Sequence, residues 1–146
     1  MTKQYQELLK KVEDALLKQE NFDERLKLVV KFLKLNIEKY NWVGIYLKKD
    51  DELILHNYIG KPTLHTKIPV NEGICGAAVR EKQTVIVDDV NEDPRYIACS
   101  LETRSEIVVP IYQGKEIIGE IDIDSDDDSA FDKEDKEMLE KIAARI

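Results

Sequence analysis

The feature that most constrains this fold is a change in the spacing of apolar residues near Asn41. Before this point, apolar residues recur every three to four positions, as they do on one face of an amphipathic helix. After it they alternate with other residues, as in the segment NWVGIYL. Alternation of this kind is typical of a strand with one buried face. The sequence therefore predicts helices followed by a sheet.

Two amphipathic helices are predicted in the first 40 residues. The first covers residues 3–19, and the second begins at Asp23, a residue type that commonly caps helices. We interpret both apolar faces as packing surfaces, either within the domain or between two copies of the chain. The face of the first helix comprises Tyr5, Leu8, Leu9, Val12, Leu16 and Leu17, and that of the second comprises Leu26, Val29, Val30, Leu33 and Ile37.

The remainder of the chain reads as strands joined mostly by short turns. NWVGIYL and ELILHNYIG form one predicted hairpin, and SEIVVPIY and KEIIGEIDID form another. QTVIVDDV is a further strand, and a last helix begins at Asp132. Consecutive hairpins favour an antiparallel sheet, so we predict one α+β domain over residues 1–146. Residues 1–40 form its helical part, and residues 41–146 form the sheet, a pocket loop and the C-terminal helix. We expect helices on one face of the sheet and a ligand pocket under loops on the other.

Length and charge exclude several classes of function. A chain of 146 residues fits a single core, and 42% hydrophobic residues suffice for a globular fold. The net charge of −8 argues against nucleic acid and anionic membranes as partners, because both require basic surfaces. The sequence has no apolar run of about 18 residues, and its first ten residues lack the apolar core of a signal peptide. We therefore expect a cytoplasmic protein with reduced thiols.

Three carboxylates are predicted to share one face of the sheet. Strand alternation places Asp122 and Asp124 opposite the apolar side chains of their strand, and Glu106 on the corresponding side of the preceding strand. Trp42 and Tyr46 project to the same side. Crowded carboxylates in a dry cleft raise one another's pKa, so such a group can protonate an oxygen or hold an ammonium. The alternative is that these acids lie on a solvated face.

The two cysteines have different predicted settings. Cys99 lies in the long irregular segment NEDPRYIACSLETR, and long loops in small domains often carry function. Cys75 lies near the start of a short helix, where exposed N–H groups can lower a thiol pKa, although it could equally be a small core residue. His56 and His65 have no further ligand at metal-binding spacing, so no metal site is predicted.

Four segments resemble the free methionine-(R)-sulfoxide reductases, which are stand-alone GAF-domain enzymes. They are NWVGIYL, IPVNEGICGAAV, YIACS with the following RSEIVVP, and IIGEIDIDS. The resemblance implies a GAF-like fold with a six-stranded antiparallel sheet between helices, and a homodimer. It assigns the nucleophile to Cys99 and places Trp42 and Tyr46 in an aromatic pocket. It gives the acids Glu106, Asp122 and Asp124 the task of binding and polarising the substrate.

The resemblance implies reduction of free methionine-(R)-sulfoxide through a sulfenic acid on Cys99, with Glu106 or Asp124 directing the proton. Recycling then requires a second thiol, with Cys75 as the candidate within the chain, and a reductant such as thioredoxin, but no metal or organic cofactor. The family's usual third cysteine, before IPV, is missing, and Leu64 or His65 stands near its place. Two alternatives are a GAF module that binds a small ligand without chemistry, and a redox switch that uses both cysteines.

Overall fold

The computed structural model describes residues 1–97 and 101–146 as an α+β domain built around one antiparallel sheet. Cys99, the predicted nucleophile, lies outside the described residues. The elements follow the predicted order of helices, hairpin, short helix, strand, hairpin and helix. Their bounds are α1 Lys3–Lys18, α2 Phe22–Asn36, β1 Trp42–Lys49, β2 Glu52–Ile59, β3 Lys67–Pro69, α3 Gly73–Glu81, β4 Val85–Val87, β5 Ser105–Gln113, β6 Glu116–Ser125 and α4 Lys133–Ala143, with a 3₁₀ turn at Val90–Glu92.

The six strands lie in the order β3-β2-β1-β6-β5-β4, and every neighbouring pair is antiparallel. β1 and β6 are therefore central, although they are separated by more than 60 residues of sequence. One face of the sheet packs with α1, α2 and α4 into the main apolar core. Val43 and Ile45 of β1 are fully buried in this core.

The other face of the sheet is covered in part by α3. Its residues pack with Tyr46, Leu53 and Val108 into a second, smaller core. Helices thus lie on both faces, and the pocket face is not left to loops alone. None of the described helices combines the length and apolar character needed to cross a membrane.

The structure corrects two local predictions about the N-terminal helices. Asn21, and not Asp23, caps α2, because its side chain accepts a hydrogen bond from the backbone N–H of Glu24. Asp23 lies in the first turn, where a negative charge still favours the helix. Leu17 was placed on the inner face of α1 but is 84% exposed. It is one position past Leu16, and a step of 100° on a helix carries it out of the stripe.

A buried polar cluster joins α1, α4 and the segment before β1. Asp135 is fully buried, and its carboxylate accepts hydrogen bonds from the hydroxyls of Tyr5 and Tyr40, both at 2.6 Å. Lys39 Nζ contributes an ion pair at 2.8 Å, and the backbone N–H of Asp132 donates to the same carboxylate. Burial alone would raise the pKa of Asp135, but these hydrogen bonds outweigh it and lower the pKa.

Replacing Asp135 by Asn is expected to destabilise the domain by about 3 kcal/mol at neutral pH, because it leaves a partly buried lysine partner and two tyrosine donors poorly satisfied. Since the folded-state pKa is lowered, the contribution of Asp135 is present above its unfolded pKa and is lost as pH falls. Urea unfolding at pH 7 and pH 4 measures this. Glu137→Gln, an exposed change on the same helix, is the control, and an equal effect of both variants would contradict the assignment.

Candidate active site

Carboxylates from two neighbouring strands form a patch on the α3 face of the sheet. In the register of β5 and β6, Glu106 pairs with Asp124, and Asp122 lies opposite Val108. The register of β1 and β6 places Trp42 opposite Asp124 and Gly44 opposite Asp122. The predicted common face for these acids is therefore confirmed by the pairing of the strands.

These acids are buried, and the alternative of a solvated acidic face is wrong. Glu106 is 6% exposed, and Asp122 and Asp124 are each 4% exposed. Oδ1 of Asp122 and Oδ1 of Asp124 have no hydrogen-bond partner among the described residues. Within residues 1–97 and 101–146, no lysine, arginine or histidine forms a salt bridge with either aspartate. The patch therefore has room for protons or for a bound cation.

Burial raises the pKa of both aspartates above the usual range. For Asp124 the negative charge of Asp122 adds to this rise, and a hydrogen bond with Glu106 partly offsets it. For Asp122, hydrogen bonds with Glu106 and Cys75 partly offset the effect of burial. Neighbouring carboxyls that cannot all ionise share protons, so the patch can donate a proton as well as accept a positive charge.

Glu120 is a further member of this patch that the sequence analysis did not identify. It is fully buried, and neither carboxyl oxygen has a hydrogen-bond partner among the described residues. It lies on β6 opposite Tyr46, in the same phase of alternation as Asp122 and Asp124. This alternation along the strand was the sequence signal that could have identified Glu120. Burial raises its pKa well above the usual range, and the charge of Asp122 adds to this.

Replacing Glu120 by Gln is expected to stabilise the domain by about 1–3 kcal/mol at pH 8, because it removes an unpaired buried carboxylate. The raised folded-state pKa means that the parent loses stability as pH rises through that pKa. The gain should therefore grow with pH and vanish near pH 4. Calorimetric melting between pH 4 and pH 9 tests this against Glu116→Gln, an exposed change on the same strand. If the melting temperatures of the parent and of Glu120→Gln changed with pH in the same way, the raised pKa assigned to Glu120 would be refuted.

Cys75 lies at the bottom of the acidic patch, and its thiol donates to Asp122 Oδ2 at 3.4 Å. The thiol is buried, and α3 begins only two residues before it. Burial raises its pKa well above the usual range, and the charges of Asp122, Glu120 and Glu106 raise it further. The predicted lowering by the helix N-terminus is therefore wrong, because desolvation and three acids outweigh the N–H groups.

Trp42 forms an aromatic wall beside the patch. Its indole stacks on Tyr58 with ring centroids 5.3 Å apart and donates from Nε1 to the carbonyl of Lys61. Gly44 lies between Trp42 and Tyr46 on this face of β1. The indole covers Gly44, since a Cβ there would lie 2.4 Å from the ring. The absence of a side chain at Gly44 therefore accommodates the indole ring of Trp42 and not a ligand.

A cavity of about 150 Å³ opens beside this wall, and Asp124 lines it together with Trp42 and Thr103. This volume is about five times the ~30 Å³ that one water occupies in the liquid, which suits a small polar molecule. A second cavity of about 20 Å³ lies between Cys75, Asp122 and Glu106, with room for about one water. Tyr46 lines this second cavity, and its hydroxyl donates to the carbonyl of His65 at 2.7 Å.

A larger groove of the described chain lies elsewhere. It has a volume of about 630 Å³ and runs between α1, the start of α2 and Arg145. Its acids are the half-buried Glu13 and the exposed Asp14 and Glu20, and no cysteine lines it. Buried acids with raised pKa values are more typical of functional sites than exposed ones. We therefore assign the candidate active site to the carboxylate patch.

Comparison with known proteins identifies the family to which this chain is similar. Residues 19–146 match the family model described as GAF domain. The fRMsr of Staphylococcus aureus in its reduced form superimposes with a TM-score of 0.92 at 39% identity, over 97% of this chain and 92% of that one. Free methionine-R-sulfoxide reductase from Neisseria meningitidis, solved with its substrate, gives a TM-score of 0.92 at 36% identity, over 97% and 84%. The chain belongs to the free methionine-R-sulfoxide reductase family of GAF domains.

A curated relative in the same family has a longer chain. The free methionine-R-sulfoxide reductase of Saccharomyces cerevisiae is 46% identical over 110 residues, which cover 73% of this chain and 61% of the yeast protein. The match therefore spans less than two thirds of the yeast enzyme. The family assignment confirms the resemblance found in the sequence and the six-stranded GAF fold that it implied.

Within this family fold, the structure brings together all but one of the predicted site residues. Glu106, Asp122 and Cys75 line the small cavity, while Asp124 and Trp42 line the larger one. Tyr46 joins the first group. The exception is Cys99, which lies outside the described residues.

Proposed function

We propose that this protein reduces free methionine-(R)-sulfoxide to methionine with a cysteine nucleophile. The observation that carries the proposal is the buried carboxylate patch next to an aromatic wall and a small cavity. Asp122, Asp124 and Glu120 form no salt bridge with a lysine, arginine or histidine among the described residues, so a free ammonium or a transferable proton satisfies them. The family supports this substrate, because two of its reductases carry this activity in their names and one was solved with its substrate.

In the proposed reaction, the sulfur of Cys99 attacks the sulfoxide sulfur, and the S–O bond breaks as an S–S bond forms. The released oxygen then bonds to the Cys99 sulfur as a hydroxyl group, and the S–S bond breaks as methionine leaves. Glu106 or Asp124 directs a proton to the departing oxygen, and Asp122 supports that pair or holds the substrate ammonium. The sulfoxide gains two electrons and leaves as methionine, while the thiol becomes a sulfenic acid. The atoms balance, because thiol and sulfoxide give sulfenic acid and thioether.

Recycling requires a second thiol, which condenses with the sulfenic acid, forming a disulfide and releasing water. Cys75 is the one other cysteine in the sequence. Its burial and raised pKa make it a weak nucleophile in the described conformation, because the thiolate is the attacking species. We therefore favour resolution by an external thiol over a disulfide between Cys75 and Cys99. A thioredoxin-type dithiol then restores Cys99. The cytoplasmic location and the homodimer remain predictions.

The protein should reduce the free amino acid much faster than a peptide with methionine sulfoxide at an internal position. A cavity of about 150 Å³ lined by the buried Asp124 and the exposed Asp126 accepts a free ammonium, and it has little space for flanking residues. We expect at least a tenfold difference in kcat/KM, measured by NADPH consumption with thioredoxin and thioredoxin reductase.

Two outcomes would count against this proposal. Equal rates on both substrates would show that the acids do not select a free ammonium. Binding of the free sulfoxide without any turnover, with either thioredoxin or a small dithiol, would favour the non-catalytic ligand-binding alternative. A matched assay with the S sulfoxide tests stereochemical choice, since the family resemblance implies the R form.

A further inference from the structure

The lower part of the carboxylate patch combines a thiol with carboxylates in one compact, buried cluster. One ligand atom each from Cys75, Glu106 and Asp122 lies within 4.8 Å of the other two. All three side chains are buried. None of the steps proposed for sulfoxide reduction requires Cys75. That reaction therefore does not explain why a thiol lies at this position.

One distance in this cluster matches a tetrahedral zinc site. With Zn–S near 2.3 Å and Zn–O near 2.0 Å, sulfur and oxygen ligands of one zinc ion lie about 3.5 Å apart. Cys75 Sγ and Asp122 Oδ2 are 3.4 Å apart. The 4.8 Å that bounds the whole set requires only a modest contraction around an ion. We propose that Cys75, Asp122 and Glu106 bind Zn²⁺, and that the bound ion blocks the acidic patch.

Glu120 provides an independent indication that a cation fits here. It is fully buried, both of its carboxyl oxygens are unpartnered among the described residues, and it neighbours the Cys75 thiol. A buried carboxylate without a partner is costly, and a divalent ion compensates two such charges at once. Glu120 is therefore the natural fourth ligand, or a nearby charge that strengthens the site.

The donor set selects the class of metal. Magnesium and calcium prefer oxygen ligands alone, whereas a thiolate favours zinc and its softer relative cadmium. Binding displaces the thiol proton to solvent, forms a metal–sulfur bond and leaves the oxidation states of metal and sulfur unchanged. Since the proposed reduction needs no metal, zinc acts as an inhibitor at this site and not as a cofactor.

Zinc binding does not rest on the proposed reductase activity, but inhibition does, so the two are measured separately. Calorimetry with Zn²⁺ on reduced protein measures binding without any substrate. Parent protein should bind one equivalent, and Cys75→Ser and Asp122→Asn should each bind at least about tenfold more weakly. His56→Gln is the matched control, because it removes the partly exposed imidazole that pairs with Asp23 at 2.8 Å outside the patch. This variant should bind zinc as the parent does.

A spectroscopic experiment identifies the thiol. In Cys99→Ser protein, Cys75 is the remaining cysteine, so Cd²⁺ should produce the ultraviolet thiolate-to-metal absorption band. The Cys75→Ser, Cys99→Ser double variant should lack the band while retaining the parent circular dichroism. Absence of the band in Cys99→Ser, or loss of zinc binding in His56→Gln but not in Asp122→Asn, would overturn the proposal. If zinc binds as expected but leaves sulfoxide reduction intact, the site is retained and its overlap with the substrate is rejected.

Discussion

Replacing Cys99 by Ser is expected to abolish reduction of free methionine-(R)-sulfoxide, with a loss of about a thousandfold or more in turnover. A serine hydroxyl stays protonated near neutral pH and is a far weaker nucleophile toward sulfur than a thiolate. The carboxylate patch would still bind the substrate, so the affinity should change little. Methionine release, followed by chromatography in the coupled thioredoxin assay, measures the loss, and calorimetry measures the affinity.

A single-turnover experiment separates the two cysteines. One equivalent of sulfoxide is added to reduced protein, and released methionine and intact-protein mass are recorded together. Cys75→Ser should release close to one methionine and gain the mass of one oxygen on Cys99, whereas Cys99→Ser should do neither. If Cys75→Ser releases no methionine and Cys99→Ser remains active, the nucleophile has been assigned to the wrong cysteine.

The parts of the site that follow from strand periodicity could be predicted from the sequence. Alternation with a period of two assigns every residue of a regular strand to one of two faces. Because β6 pairs regularly with β1, this rule places Trp42 and Asp124 on the same face. The fold class followed from the same alternation together with the helical period of the first 40 residues.

The degree of burial could not be predicted in this way. Alternation gives the face but not the element that covers it, and α3 covers part of the face that was expected to lie under loops alone. The same helix places Cys75 against Asp122, which reverses the expected effect of the helix N-terminus on the thiol pKa. Desolvation depends on contacts between residues far apart in sequence, so a local pattern does not determine it.

The packing of individual side chains could not be predicted from the local sequence either. A glycine between two aromatic residues is compatible with an open floor or with a ring lying over it. The indole of Trp42 takes the second arrangement because Tyr58, on the neighbouring strand, offers a stacking partner. The face on which Glu120 lies follows from the alternation of β6, but its burial does not. The unpaired state of its carboxyl is a property of the assembled core.

Asp124 offers the second large test, because activity and stability are expected to move in opposite directions. Asp124→Asn removes a carboxyl that lines the cavity and pairs across the strands with Glu106. If this carboxyl directs the proton to the sulfoxide oxygen, turnover should fall about 100-fold to 10,000-fold, because an amide does not supply that proton. Glu106→Gln should show a similar loss if the pair acts together.

Stability should change in the other direction, because Asp124 is buried and its pKa is raised. Such a group stabilises the fold below its unfolded pKa, and this contribution is lost as pH rises through the folded-state pKa. The neutral amide avoids that loss, so Asp124→Asn should melt at the same temperature as the parent or higher at pH 8. Most buried substitutions that impair activity by damaging the fold would lower the melting temperature instead.

Asp128→Asn provides the matched control, since Asp128 is an exposed acid of the loop that follows β6. Its turnover should stay within about a factor of two of the parent, and its melting temperature should barely change. Parental turnover in Asp124→Asn would show that Asp124 contributes negative charge to the patch but takes no part in proton transfer. A variant that lost turnover and melted well below the parent at every pH would instead assign Asp124 to the core. Only lost turnover with retained or raised stability identifies this buried carboxyl as part of the reaction.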